Sequence, residues 1–445
     1  MDTKFYQKLA EAHRAEILAA EQWIWKHPET GFKEWETSAY LAAAFEQAGY
    51  ALTRAGDIPG FYTDLDTGRP GPKVLVMAEL DALVLPNHFA AVNGNAHACG
   101  HHAQCAALLG LALALREPGA LDGLSGSVRL MAVPAEELIE IEFRDELRRK
   151  GTIRYLGGKT EFIARGYLDG VDLAFLFHTG TQDYGFDCHR GGNGCVAKTA
   201  HYKGVAAHAG GQPHEGVNAL YAASLGLQAV NAIRETLRDD DHIRIHPILT
   251  AGGSCVNIIP DEAMLESYVR GASIPAILEA NRKVNRALAA GALALGATVT
   301  VHDRPGYAPQ FNDPTLSRAA CAVMAELLGE DEVRHTDVWS CGCTDMGDVG
   351  CLMPVLHPHI GGAAGRAHGE DFRITDPECA CVQSAAGQLA LLARLLEHDA
   401  ALAKETVAAY QPLYPSKEAY FALLDGILQD KDLVRYQKTG TAEVL

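Results

Sequence analysis

The sequence predicts an α/β fold in two parts: a mixed, mostly parallel sheet covered by helices, interrupted by an inserted ferredoxin-like βαββαβ unit. Three observations carry this prediction. Short apolar runs alternate with helical patterns through the first half, which argues for parallel strands buried on both faces. From about residue 193 the order becomes strand, helix, two strands, helix, strand, the split motif of an antiparallel sheet with helices on one side. Glycine- and proline-bearing stretches bracket that order, "HRGGNG" before it and "DRPGYAPQFNDP" after it, as linkers between units do.

Taken in order, "MDTKFYQKLAEAHRAEILAAEQWIWKHPE" spaces its apolar residues and interrupts them with charge. It reads as an amphipathic helix near 4–26 rather than a signal peptide. A second helix follows around 36–48. "KVLVMAEL" (73–80) is a buried strand, and the apolar run after His101 is a helix. "SVRLMAV" (127–133) and "DLAFLFH" (172–178) are further strands. In the inserted part, "CVAKTAHYKG", "HIRIHPILTA", "EAMLESYVR" and "ATVTVHDR" read as strands. "EGVNALYAASLGLQAVNAIRETLR" and "PAILEANRKVNRALAAGALALG" read as helices. The expected division is 1–192 with 306–445 as one domain and 193–305 as the insertion. The C-terminal stretch reads as one more helical hairpin on the outside.

Composition narrows the function. At 445 residues the chain exceeds one ordinary core. A net charge of −18, from 38 basic and 56 acidic residues, argues against nucleic acid and anionic membranes as partners. No uninterrupted apolar run reaches the ~18 residues of a membrane span. Eleven scattered cysteines, an odd number, do not form a disulfide framework and point to a reducing cytoplasm.

The densest chemistry lies in "HACGHHAQCAALLGLAL" (97–113). Cys99 and His101 point apart on a regular helix, but a turn at Gly100 aims both at one centre. "PAEE" (134–137) sets Glu136 and Glu137 just after a strand. On a continuing strand they face opposite ways, so that one serves a metal and the other stays free as a base. Asp81, Glu136, Glu137 and His178 all fall where a predicted strand stops, the working edge of a parallel sheet. His208 and His368 are flanked by small residues that leave room for an approach. Each residue alone reads equally as a loop charge or a hydrogen-bonded core histidine. Together they offer a thiolate, several imidazoles and paired carboxylates, a donor set that suits zinc, manganese or cobalt.

These motifs ("HACGHHA", "PAEE", "FHTG", "YKGVAAHAGGQPHEGVNAL", "VNIIPDEA", "CTDMGDVG" and "AHGEDF") occur in this order around the inserted unit. The whole resembles the metal-dependent aminoacylase and carboxypeptidase family of amidohydrolases. It is most similar to the thiolate-bridged branch that includes aminobenzoyl-glutamate hydrolases and hydrolases of N-acyl and indoleacetyl amino acids. The resemblance implies two divalent metal ions per chain, zinc or manganese, with cobalt or nickel as further options. Cys99 matches the bridging thiolate. His101, Glu137, His178 and His368 match the terminal ligands, and Glu136 the general base. Asp81, two residues beyond Glu79 at a strand end, is placed to orient a ligating imidazole. His208 matches an oxyanion-stabilising histidine that commonly reaches the partner subunit, which makes 193–305 a lid and dimerisation domain. Asn257, Arg270, Gly361 and Gly362 match groups that hold the free carboxylate of a small-molecule amide substrate.

The sequence departs from the family in two places. His102 stands where many relatives carry an aspartate, and the segment 138–162 is unusually charged, read as a solvated helix ahead of a substrate-binding one. His97, His189, His201, His214, His357 and His359 read as structural or surface residues. Two other readings stay open at this point: a hydrolase with Cys99 as nucleophile, and a non-catalytic binding protein on the same scaffold.

Overall fold

In a computed structural model, residues 2–437 and 440–444 are described. They form two compact units. The first runs to Gly191 and includes Phe311–Trp339 and Asp348–Leu413. The second comprises Gly192–Gln310, Ser340–Gly347 and the chain from Tyr414 onward.

The first unit is built on a six-stranded sheet ordered Thr53–Arg54, Phe61–Asp66, Ser127–Val133, Lys73–Glu79, Leu173–Phe175, Val355–Leu356. The last four strands are mutually parallel, and Phe61–Asp66 runs antiparallel to Ser127–Val133. The sheet is therefore mixed and mostly parallel. Register fixes where its chemistry emerges. Glu79 pairs with Val133, and Val76 with Phe175, so three strands end at one edge. The segments carrying Asp81, Glu136 and His178 leave the sheet from that edge.

Helix His101–Ala114 lies against the sheet, the helix Arg14–Trp25 and the helical stretch Ser384–Ala409, whose backbone is broken at Glu397–Ala400. All its residues except Leu113 are buried. Such a helix has no polar face to show, which is why its sequence turns wholly apolar after Gln104. The N-terminal helix predicted as one is two, Thr3–Ala12 and Arg14–Trp25, parted at His13. One stretch, Glu378–Ala409, is long and apolar enough to cross a membrane by length and composition, and 89% of its apolar window is buried inside the protein.

The second unit has the split βαββαβ order: strand Gly194–Lys203, helix Ala219–Ala232, strands Arg244–Ile245 with Ile248–Ala251 and Glu262–Gly271, helix Ile274–Leu295, strand Thr298–Pro305. Its sheet is antiparallel, with Gly194–Lys203 between Glu262–Gly271 and Thr298–Pro305. The helices close one face around a core of Val196, Ala223, Leu265, Leu288 and Val301. Lys198 is buried in this unit and paired with Asp303.

The C-terminal stretch differs from its expected helical hairpin. Helix Lys417–Ile427 is followed by strand Gln429–Tyr436, which pairs antiparallel with Thr298–Pro305, and by Ala442–Val444. Gln429, Asp430, Lys431 and Arg435 are exposed, and only Leu433 and Val434, which are neighbours, are buried. That is too little apolar alternation to reveal it in the sequence.

Candidate metal centre

Cys99 and His101 converge because Gly100 breaks the geometry between them. It caps the helix in the left-handed region (φ 93°), and a β-carbon there would lie 2.8 Å from Thr179 Cβ. Only glycine satisfies both demands. Cys99 Sγ lies 3.4 Å from His178 Nε2 and 3.4 Å from His368 Nε2. His368 Nε2 also lies 3.0 Å from Glu137 Oε1. His101 Nδ1 faces Asp81, 2.9 Å from its carbonyl and 3.2 Å from Oδ1. This leaves Nε2 turned to the cluster, 3.2 Å from Glu79 Oε2 and 4.0 Å from Glu136 Oε2.

Cys99 is common to two donor triads, Cys99–His101–His178 and Cys99–Glu137–His368. In each, the donor atoms all lie within 4.8 Å of one another. A third group, Glu79–His101–Glu136, adjoins them. The residues fit a pair of cations. Glu79 Oε2 and His101 Nε2 are buried and adjacent, yet neither completes a hydrogen bond. Buried polar atoms without partners are costly unless something else satisfies them.

The electrostatics agree with a site built for positive charge. Burial and Glu137 push the Cys99 thiol up, but the His101 and His178 imidazoles outweigh them and hold it at about 6. Burial likewise raises Glu137, and the hydrogen bond and charge of His368 overcome it, so its carboxyl sits well below the usual range. The Cys99 thiol and the Glu137 carboxyl are thereby held toward the deprotonated forms that bind metal, while the anions facing them raise the His101, His178 and His368 imidazoles against burial.

The two glutamates do not diverge as neighbours on a strand. The strand stops at Val133, and Ala135 takes a left-handed turn (φ 56°) that brings both carboxyl groups to the cluster. This unfavourable backbone is over-determined. Glu34 accepts a hydrogen bond from the Ala135 N–H at 2.7 Å, Asp81 Oδ2 accepts one from the Glu137 N–H at 2.8 Å, and Gly158 N–H bonds the Ala135 carbonyl at 3.1 Å. Arg144, fully buried, donates to the carbonyls of Leu156 and Glu137.

The charged segment 138–162 includes a helix, Ile141–Arg149, that buries only Ile141 and Arg144, but the segment is not solvated throughout. Its Arg144 and Lys159 are interior, and Lys159 pairs with Glu79, with neither side chain exposed. Gly158 matters here too: a β-carbon on it would collide with the Pro134 carbonyl. Glu34, Glu79, Arg144 and Lys159 were not expected at the site. Among them only Glu79 carried a signal, as an acidic residue closing an apolar strand. His102 faces away from the cluster, 3.4 Å from Glu21 and tilted against Trp25.

Gly361 donates its N–H to the Gly185 carbonyl at 2.9 Å, and the Gly362 carbonyl accepts from Thr375 and Asp376. The Gly361 amide is thereby withdrawn from the backbone pocket expected of it. Both glycines are required by close approach, to the Tyr184 and Asp376 carbonyls respectively.

His208, Asn257 and Arg270 belong to the second unit. His208 is exposed and forms a bridge with Ile258, and the Asn257 carbonyl accepts from the Ala209 N–H at 2.9 Å. His208 Nδ1 accepts the N–H groups of Gly210 and Gly211 at 3.2 and 3.0 Å. The neutral ring therefore carries its proton on Nε2 and presents a donor outward. Arg270 stacks by Tyr268, and its buried Nε donates no hydrogen bond.

The first unit thus gathers thiolate, imidazole and carboxylate donors at one edge of a mostly parallel sheet, and the second carries the split βαββαβ order. The chain belongs to the peptidase family M20/M25/M40, whose family profile matches residues 75–398. It is 28% identical to one of the two p-aminobenzoyl-glutamate hydrolase polypeptides of Escherichia coli over 71% of this chain and 63% of that protein, so the match spans less than two thirds of that relative. It is 27% identical to Xaa-Arg dipeptidase of Mus musculus over 76% of this chain and 74% of that protein. N-acetyl-L-cysteine deacetylase of Bacillus subtilis is 27% identical over 57% and 59%. Among solved structures, a dinuclear metal-binding peptidase of the M20 family from Bacillus subtilis has the same fold, with a TM-score of 0.63 at 21% identity, covering 87% of this chain and 99% of that one.

Proposed function

We propose that the protein is a metal-dependent amidohydrolase that cleaves an N-acyl amino acid, an aminobenzoyl-glutamate-like compound or a dipeptide bearing a free carboxylate. The observation that carries this reading is the sharing of Cys99 between two donor triads. Cys99, His101 and His178 would hold one divalent ion, and Cys99, Glu137 and His368 a second. The mixture of one thiolate, three imidazoles and a carboxylate favours zinc or manganese, with cobalt or nickel as substitutes. Such cations supply Lewis acidity, polarising the substrate carbonyl and making the attacking water more acidic.

The chain's own residues do the rest. Glu136 takes the proton from the attacking water at a carboxylate oxygen and delivers it to the leaving nitrogen. Asp81 fixes the His101 ring through Nδ1, so that Nε2 faces the metal side. His208 gives its Nε2–H to the oxygen on which charge develops. Arg270, with a free Nε in a rigid fork, pairs with the substrate carboxylate, and Asn257 assists it.

The protein works as a homodimer through 193–305, in the reducing cytoplasm. A groove lined by Ala209, Tyr221, Val256 and Ile258 lies beside His208. Val256, Ile258 and Tyr221 are exposed apolar residues there, as a surface awaiting a second copy would show. A cysteine-nucleophile mechanism fits less well, because Cys99 faces two imidazoles at equal distance rather than one base with an orienting partner.

The test is release of amine from a panel of N-acyl amino acids and dipeptides after EDTA treatment and after adding back each metal. Loss in EDTA with recovery on Zn²⁺ or Mn²⁺ supports the reading. Activity untouched by EDTA but abolished by iodoacetamide overturns it.

A further inference from the structure

We propose that Asp187, His189 and His359 form a third cation site, separate from the Cys99 centre and built for a divalent transition metal. Their donor atoms lie within 4.8 Å of one another, and none of the three belongs to the two Cys99 triads.

The site follows from strand register. Strand His359–Ile360 lies between Phe186–Cys188 and His178–Thr179. His359 is the direct cross-strand partner of Asp187 on one side and of His178 on the other. Side chains directly opposite one another project from the same face. His189, two residues beyond Asp187, returns to that face, since side chains alternate along an extended chain. The rings of His189 and His359 have centroids 5.2 Å apart.

Within the group the polar atoms are poorly satisfied by one another. Asp187 Oδ2 and His189 Nδ1 are 3.9 Å apart, too far for a hydrogen bond. Asp187 Oδ1 is buried and accepts no hydrogen bond. If the three served only to brace one another, the carboxylate would be expected to close on an imidazole at hydrogen-bond distance. Instead they stand apart around a common point, as ligands around an ion do. The Asn312 side chain donates to the His189 carbonyl at 2.7 Å and anchors the backbone that carries that ring.

Two imidazoles and a carboxylate make a set that takes zinc, cobalt, nickel or manganese while leaving positions open. The site contains no sulfur, which distinguishes it from the Cys99 centre. An ion there would clamp the Phe186–Cys188 strand to the strand beside His178, whose ring lies 5.3 Å from that of His359.

The experiment is a cobalt titration of the metal-stripped full-length chain, followed by absorbance and by elemental analysis of the desalted protein. The expected result is that the double variant Asp187→Asn/His189→Gln binds one ion fewer than wild type. The lost equivalent should be one that adds no thiolate-to-cobalt charge-transfer absorption. Cys99→Ser should lose that absorption but keep the sulfur-free equivalent. Equal ion counts in wild type and double variant, or loss of the sulfur-free equivalent in Cys99→Ser, would overturn the proposal. If thermal melts of the metal-free forms show the double variant misfolded, Asp187→Asn alone decides. It must weaken the sulfur-free equivalent by at least about tenfold, the lower bound for disturbing a ligand's surroundings; unchanged binding overturns the proposal. The readout is a difference in ion count, so it stands or falls independently of any amide hydrolysis.

Discussion

Lys159 and Glu79 form an ion pair in which neither side chain is exposed, and the second Glu79 oxygen lies 3.2 Å from His101 Nε2. A residue from the charged segment after "PAEE" thus neutralises a carboxylate at the base of the cluster. Removing one partner of a buried pair leaves a charge in a poorly solvating interior and costs about 3–5 kcal/mol. Lys159→Met should lower the stability of the metal-free protein by that order in urea unfolding. Lys159→Met/Glu79→Gln should recover most of the loss, since no charge is then stranded. A double variant no more stable than the single would show that Lys159 acts by packing alone.

Glu136 and Glu137 should separate cleanly by substitution. Glu136→Gln is expected to retain metal and fold while kcat falls by at least about a few hundredfold, within the usual effect of losing acid–base help. Glu137→Gln removes a donor 3.0 Å from His368 and should lose metal first, with activity following. The check is metal content by elemental analysis beside kcat on one substrate. Equal metal loss in both variants would reverse the assignment.

Much of this arrangement was legible in the sequence, because the donors sit where apolar strands end and that edge is where a parallel sheet works. That Cys99 and His101 turn to one centre at Gly100, and that His178 follows an apolar strand, were both readable from local pattern. The turn at Ala135 was not. A left-handed alanine has no signature of its own and is held by Glu34 and Arg144 from distant parts of the chain. Lys159 was hidden for a related reason: a charged residue in a charged segment reads as solvated until its partner is known. The strand Gln429–Tyr436 escaped because it lies near the sheet's edge and buries only Leu433 and Val434.

Away from the cluster, Arg129 grips Asp64 through two hydrogen bonds of 2.7 and 2.6 Å, and Lys73 adds a third at 2.9 Å. Burial raises the Asp64 carboxyl, but these cations outweigh it and hold it below its usual 3.8. A carboxylate with a depressed folded pKa contributes stability that is present above its unfolded value and is lost as pH falls through the folded one. Wild type should therefore lose stability more steeply below about pH 4 than Asp64→Asn does. The side chain is partly exposed, so the difference stays within about 1 kcal/mol. Unfolding midpoints measured from pH 6 to pH 3 test this; parallel curves would remove Asp64 from the acid response.

The remaining prediction concerns His208, whose ring presents an Nε2–H donor because Gly210 and Gly211 occupy Nδ1. If that donor completes the site of a second copy, His208→Ala and Glu136→Gln homodimers are each nearly inactive. One lacks oxyanion help and the other its base. Subunit exchange at equal mixing makes half the dimers heterodimers. In each heterodimer both defects fall in one site, and the other site pairs an intact Glu136 with an intact His208 from its neighbour. Activity should then rise to about a quarter of wild type. If His208 instead closes over its own chain's site, every site keeps one defect and no mixture recovers. Differently tagged subunits establish that exchange has occurred. Activity still at the level of the single variants after exchange would then assign His208 to its own subunit.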